Sequence, residues 1–122
     1  MPAIENKSIL VTGGAQRIGG CISETLARLG WNVAIHYFGS SDAAQALAAR
    51  ITDAGMQASV ITGDLRDPET CASLVARAQE RVGPLGGLVN NASIFEPDLW
   101  HSTTIDSWND HMSVNLRAPF LL

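Results

Sequence analysis

The residues best suited to chemistry stand near the start of the chain. Val11-Thr12-Gly13-Gly14-Ala15-Gln16-Arg17-Ile18-Gly19 follows a short apolar run, Ile9-Leu10-Val11, and leads into residues spaced as a helix. A glycine-rich turn between a strand and a helix is suited to a phosphate. Gly13 permits the tight turn, and the bare backbone at Gly13, Gly14 and Gly19 lets a pyrophosphate approach. The helix beginning at Arg17-Ile18 then offers unpaired N–H groups and the positive end of its dipole. An ordinary βα loop can also contain glycine; the position after the first strand is what favours a phosphate. Arg17, inside the turn, adds a cation able to serve both a cofactor phosphate and a substrate.

A second apolar run ends at Ile35-His36-Tyr37. An NAD enzyme places an acid at such a point to hold the ribose 2′-hydroxyl. None stands there, and the next is Asp42, past the loop. A carboxylate would repel a 2′-phosphate, so its absence favours NADP(H) over NAD(H), with Arg17, His36, Ser40 and Ser41 as donors. Asn90-Asn91-Ala92 follows the fourth apolar run, near the switch point where open α/β sheets bind ligands, although Asn-rich turns also arise for local backbone reasons. Phe95, two residues beyond Ser93, could stack a flat heteroaromatic substrate, an arrangement that contributes about 0.5–1.5 kcal/mol beyond burial. The alternative is that Phe95 packs into the core or a subunit interface. Pro119 has no N–H to donate, so the helical bond to the carbonyl of Asn115 cannot form. That carbonyl is then free to hold a water, unless Asn115 merely caps or kinks a helix.

These residues must be positioned by an alternating pattern. The apolar runs are Ile9-Leu10-Val11, Val33-Ala34-Ile35, Ala58 to Ile61 and Leu85 to Val89. Between them lie three sets at helical spacing: Ile18, Cys21, Ile22, Leu26 and Leu29; Ala43, Ala44, Leu47, Ala48 and Ile51; Cys71, Leu74, Val75, Ala78 and Val82. Gly55 suits the end of the second helix, and Pro68 the first turn of the third. Runs that are apolar on both faces and joined by helices read as a parallel sheet covered on both sides. Right-handed crossovers make it doubly wound, and the predicted strand order is 3-2-1-4. Beyond Asn90 the rhythm changes to a loop over residues 91–103. Thr103 or Thr104 then caps a helix carrying Ile105, Trp108, Met112 and Leu116, and the chain ends on Phe120-Leu121-Leu122.

Composition excludes other classes. The 122 residues are 46% hydrophobic and 16% charged, with a net charge of −4. The eight Lys and Arg are scattered singly, unlike the clustered basic face of a nucleic-acid binder. No apolar stretch approaches the roughly 20 residues that span a bilayer, and residues 1–6 lack the regions of a signal peptide. The expectation is a soluble, cytoplasmic protein with a small-molecule substrate. Cys21 and Cys71 are expected as small buried hydrophobes. His36, His101 and His111 lack ligand spacing, so no metal is expected.

Taken together, Thr12-Gly13-x-x-x-Arg17-x-Gly19, His36-Tyr37-x-x-Ser40, Asp64-Leu65, Asn90-Asn91-Ala92-Ser93 and Val114-Asn115-Leu116-Arg117-Ala118-Pro119-Phe120 resemble the short-chain dehydrogenase/reductase family. Arginine at 17 and serine at 93, where the family more often has glycine, resemble its pteridine reductase branch. That branch usually carries a basic residue where Gly39 stands. The resemblance implies a Rossmann-type fold and NADP(H). It implies that Asp64 accepts a bond from the adenine amino group while Leu65 backs the ring; a plain cap or turn is the other reading of Asp64. It implies that Asn90, Asn91 and Ala92 shape the cofactor side of the cleft, that Ser93 and Phe95 face substrate, and that Asn115 is catalytic through a water in a proton relay. A homo-oligomer, tetramer or dimer, is implied as well.

The family's Ser and Tyr-x-x-x-Lys are missing from these residues. Tyr37 is the single tyrosine and Lys7 the single lysine. General acid catalysis needs a positioned proton donor, so the 122 residues alone are expected to be inactive. They read as the nucleotide-binding half of one domain whose catalytic half lies outside this chain. Three functions fit: an NADPH-dependent reductase of a C=N or C=O bond, such as that of a dihydropteridine; a general carbonyl or 3-oxoacyl reductase; or a non-catalytic nucleotide-binding module.

Overall fold

The computed structural model of the protein describes residue 3 and residues 5–39 and 41–122. Strand and helix alternate: β1 (Ser8–Val11), α1 (Arg17–Arg28), β2 (Asn32–Tyr37), α2 (Asp42–Asp53), β3 (Ala58–Thr62), α3 (Pro68–Val82) and β4 (Gly87–Val89). The strands are parallel, in the order β3-β2-β1-β4 that the sequence predicts. Leu10 lies opposite Ala34 and Leu88, and Ile35 opposite Val60.

Successive strand side chains point to opposite faces, so β1 and β2 feed two cores. Leu10 and Ala34 join Leu74, Ala78, Val114 and Ala118 on the α3 face. Ile9, Val11, Val33 and Ile35 join Ala27, Leu47 and Ile51 on the face of α1 and α2. This two-sided burial explains why the runs are apolar at every position. Full burial of each such Leu or Ile stabilises by about 1.5–3 kcal/mol.

The helix ends follow local chemistry. Gly55 adopts φ +82°, and it and Met56 donate to the carbonyls of Thr52 and Ile51, closing α2. Asp67 caps α3, its carboxylate accepting from the N–H groups of Glu69 and Thr70. Strand β4 is shorter than predicted: Leu85 lies before it and packs against the core. Among the described residues it pairs only with β1, which leaves Leu88 36% exposed at the sheet edge.

The inward face of α1 matches the predicted one only in part: Ile22 and Leu26 pack against the core as expected. Gly19, Ser23 and Ala27 are buried, whereas Ile18 and Leu29 are exposed and so is Cys21. Small residues let the helix approach the sheet closely, and this stripe outcompetes the bulkier one. Cys71 is buried as expected.

After the loop over residues 90–104 comes α4 (Ile105–Met112), capped by Thr104, whose hydroxyl accepts from the Ser107 N–H. The backbone then widens into a π-helical turn over Ser113–Arg117, where the Ala118 N–H donates to Ser113, before α5 (Ala118–Leu121). A straight α-helical ladder would fail at Pro119, which has no N–H, and a π turn accommodates such a break. Val114 and Ala118 face the core; Ile105, Trp108, Leu116 and Phe120 are exposed. No helix of the described residues is long and apolar enough to cross a membrane.

Candidate functional site

The four strands end on one side of the sheet, beside an open cleft of about 560 Å³. Of the residues singled out in the sequence, Gly13, Arg17, Ile18, Gly19, His36, Asp64, Leu65, Asn91, Ala92 and Ser93 line it. Gly14, Tyr37, Asn90, Phe95 and Asn115 do not line it, and Ser40 lies outside the described residues.

The glycine turn is fixed by close contacts. Gly13 has φ +58°, a left-handed conformation that disfavours other residues. A Cβ on Gly19 would sit 1.9 Å from the Gly13 carbonyl oxygen and 2.5 Å from Asn91 Nδ2, so no side chain fits there. Gly14 is buried beneath the turn: its N–H donates to the His36 carbonyl at 2.8 Å, and its own carbonyl accepts from Ser23 at 2.8 Å. Helix α1 has no side-chain cap at Gln16 and no acid in its first turn, unlike α3. Its N-terminal N–H groups and dipole are therefore left for an anion. Arg17 opens α1 at φ +50°. A side chain in that conformation costs roughly 1–2 kcal/mol, which explains why glycine suits the position and marks Arg17 as strained.

His36 corrects an expectation. It is buried, its Nδ1 accepts from the Gly13 N–H at 3.0 Å, and its Nε2 lies 2.8 Å from the Gly63 carbonyl. These two bonds fix a neutral ring with the proton on Nε2. The ring therefore holds the phosphate turn to the end of β3 and has no donor left for a 2′-phosphate. Burial pushes its pKa below the ordinary value, with the Gly63 bond opposing and the charge of Arg77 adding to the depression.

Thr12 and Asn91 clamp the ends of β1 and β4. The Thr12 hydroxyl accepts from the N–H groups of Asn91 and Ala92 at 3.1 and 3.0 Å. Asn91 Nδ2 donates to the carbonyls of Thr12 and Gly13. Asp64 is gripped by Arg66 through Nε and Nη2 at 2.8–3.1 Å, and this bonding holds its pKa below the usual carboxylate value. Phe38, Arg66 and Asp110 also line the cleft. The Arg66 guanidinium lies 5.6 Å from the Phe38 ring centre and 3.7 Å from Asp110.

Asn115 acts through its side chain on the preceding loop: Oδ1 accepts from the Ile94 N–H at 2.8 Å, and Nδ2 donates to the Ile94 carbonyl at 2.9 Å. His111 Nε2 accepts from the Glu96 N–H at 3.0 Å. Together they moor residues 94–96. Phe95 is 85% exposed, so the alternative of core packing does not hold. Sequence reasoning missed Thr12 as a clamp, and also Phe38, Arg66, Asp110 and His111. Arg66 carried one usable signal, its spacing of two residues from Asp64; the others depend on which elements meet.

Residues 7–122 match the family model for short chain dehydrogenase. An acetoacetyl-CoA reductase of Paracoccus denitrificans is 35% identical over 114 residues, covering 93% of this chain and 45% of that protein. The 3-oxoacyl-[acyl-carrier-protein] reductase FabG of Staphylococcus epidermidis is 33% identical over 115 residues, covering 94% and 47%. Among solved structures, FolM alternative dihydrofolate reductase 1 from Brucella canis, complexed with NADP, superposes with a TM-score of 0.90 at 42% identity, covering 97% of this chain and 46% of that one. A short chain dehydrogenase from Burkholderia cenocepacia in complex with NADP gives 0.90 at 39%, covering 95% and 47%. The chain spans about half the length of the relatives it matches. From its glycine turn through its strand order to the motif around Asn115, the chain belongs to the short-chain dehydrogenase/reductase family.

Proposed function

We propose that the protein is an NADP(H)-dependent reductase and that these residues form its nucleotide-binding part. The observation that carries this reading is the uncapped start of α1, set against the side-chain-free backbone of Gly13 and Gly19 at the mouth of the cleft. Those N–H groups are suited to a pyrophosphate. The absence of an acid at the end of β2 and the NADP bound to two similar structures favour the phosphorylated cofactor. Once bound, the cofactor would supply hydride to a C=N or C=O bond.

Asp64 and Leu65 take the adenine end, with Asp64 accepting from the amino group, while Asn91 and Ala92 form the floor. Ser93 and Phe95 face the substrate. Asn115 positions the loop at Ile94, and its carbonyl, which Pro119 cannot bond, holds a water for proton transfer. The residues contain no Tyr-x-x-x-Lys, so a protein limited to them binds cofactor without turnover. For the substrate, a dihydropteridine is supported by the FolM likeness and by Arg17 and Ser93. A 3-oxoacyl or other carbonyl substrate is the second reading, supported by the acetoacetyl-CoA reductase and FabG relatives. The reading includes a cytoplasmic homo-oligomer with no nucleic-acid or membrane partner.

The test is titration of the intact protein with NADPH and NADH, then NADPH consumption with each substrate class. NADPH is expected to bind about tenfold tighter or more, the worth of one charged hydrogen bond. Equal or tighter NADH binding contradicts the cofactor reading; turnover confined to 3-oxoacyl substrates replaces the pteridine reading with the second.

A further inference from the structure

The end of β2 lacks a cation of its own, and the fold brings one there from another strand. Gly39 has no side chain to offer a 2′-phosphate, and Tyr37 and Phe38 carry no charge. Arg66, from the loop after β3, lies with its guanidinium carbon 5.6 Å from the Phe38 ring centre, within the range of a cation–π contact. Its guanidinium is aimed by Asp64 and its backbone is anchored by Arg117. Asp64 holds Nε and Nη2 by hydrogen bonds of 2.8–3.1 Å, and Arg117 donates to the Arg66 backbone carbonyl. The remaining contact, from Nη1 to Asp110, is 3.7 Å. That is too long for a good hydrogen bond, so this edge can exchange the carboxylate for a phosphate oxygen.

We propose that Arg66 selects the 2′-phosphate of the cofactor, supplying from the β3 loop the cation that the β2 loop lacks. The inference rests on the cleft being the NADP(H) site. A guanidinium presents its donors in a rigid planar fork matched to phosphate oxygens. Asp64 and the Phe38 face fix the plane of that fork, and Nη1 keeps only the long contact to Asp110, another residue that lines the cleft. Asp110 is a competitor: its carboxylate occupies this edge and repels the incoming phosphate. Arg17 is the other cation lining the cleft, but it stands in the first turn of α1, beside the pyrophosphate position.

The experiment measures NADPH and NADH affinity of the intact protein by calorimetry, for the wild type and for Arg66→Ala, Arg66→Lys, Asp110→Asn and Arg17→Ala. Arg66→Ala is expected to weaken NADPH about tenfold or more while leaving NADH within about twofold. Arg66→Lys retains part of the preference, because it keeps the charge and loses the fork. Asp110→Asn tightens NADPH selectively, an outcome that a merely structural role for Arg66 would not produce. Equal weakening of NADPH and NADH by Arg66→Ala overturns the proposal, as does a preference lost with Arg17→Ala and kept with Arg66→Ala. Failure of the wild type to bind either cofactor overturns the reading of the cleft itself, and is told apart because no ratio then exists.

Discussion

His36 ties the phosphate turn to the sheet through one proton. Its Nδ1 must stay bare to accept from Gly13, and protonation would set two donors against each other there. Burial keeps the ring neutral in the native state by lowering its pKa, so the unfolded chain takes up the proton more readily. The contribution is therefore fully present above pH 6.5, the ordinary His value, and is lost as pH falls below it toward the native pKa. Asp64 stays ionised through this window, since the ordinary Asp pKa of 3.8 already lies below it and Arg66 lowers the group further. Thermal melts between roughly pH 7 and pH 5 are expected to show a loss of stability on acidification that His36→Gln removes. An unchanged pH slope in the variant contradicts this account. The sequence made His36 visible as a polar residue at a strand end, but its partners Gly13 and Gly63 come from the turns after β1 and β3, so a donor role and a buried pin could not be told apart. The Asp64–Arg66–Phe38 contact was hidden for the same reason.

At the scale of elements, α1 carries the site and is set in place by its smallest residues. Of the five positions in the sequence pattern, Ile22 and Leu26 pack inward, whereas Ile18, Cys21 and Leu29 are exposed; bulky apolar residues dominate a periodicity reading. Yet close approach to the sheet selects Gly19, Ser23 and Ala27, and Ile18 is left to line the cleft. Gly19→Val is expected to reduce cofactor affinity more than about tenfold and to destabilise the fold, since its Cβ has 1.9 Å to the Gly13 oxygen. Gly14→Ala, with 2.8 Å to Val11 and Ser23 atoms, costs less. Cofactor titration with circular dichroism as a check on folding tests this; a Gly19→Val protein that folds and binds normally removes the turn from the site. Elsewhere the punctuation was legible: Gly55, Pro68 and Thr104 act locally, through their own backbone or side chain, and fall where the sequence places them. The π turn before Pro119 was foreseen only as a missing bond, because how a helix absorbs that loss depends on what it packs against.

For the whole molecule, the parallel order 3-2-1-4 could be read in advance, because two-sided apolar runs and right-handed crossovers leave few topologies. What covers the outside of α4 and α5 could not. Ile105, Trp108, Leu116 and Phe120 form an exposed apolar strip of a kind that marks association sites. Trp108→Glu with Leu116→Glu is expected to lower the association state in sedimentation velocity while cofactor affinity persists. Unchanged sedimentation removes the strip from assembly.

Binding of NADP(H) in the strand-end cleft is read residue by residue from the amide resonances of the isotope-labelled protein as NADPH is added. The largest shifts are expected at Gly13, Arg17, Ile18, Gly19, Leu65 and Ala92, with α2 and the exposed strip of α4 undisturbed. Saturable shifts centred elsewhere, or none at all, would contradict binding in this cleft.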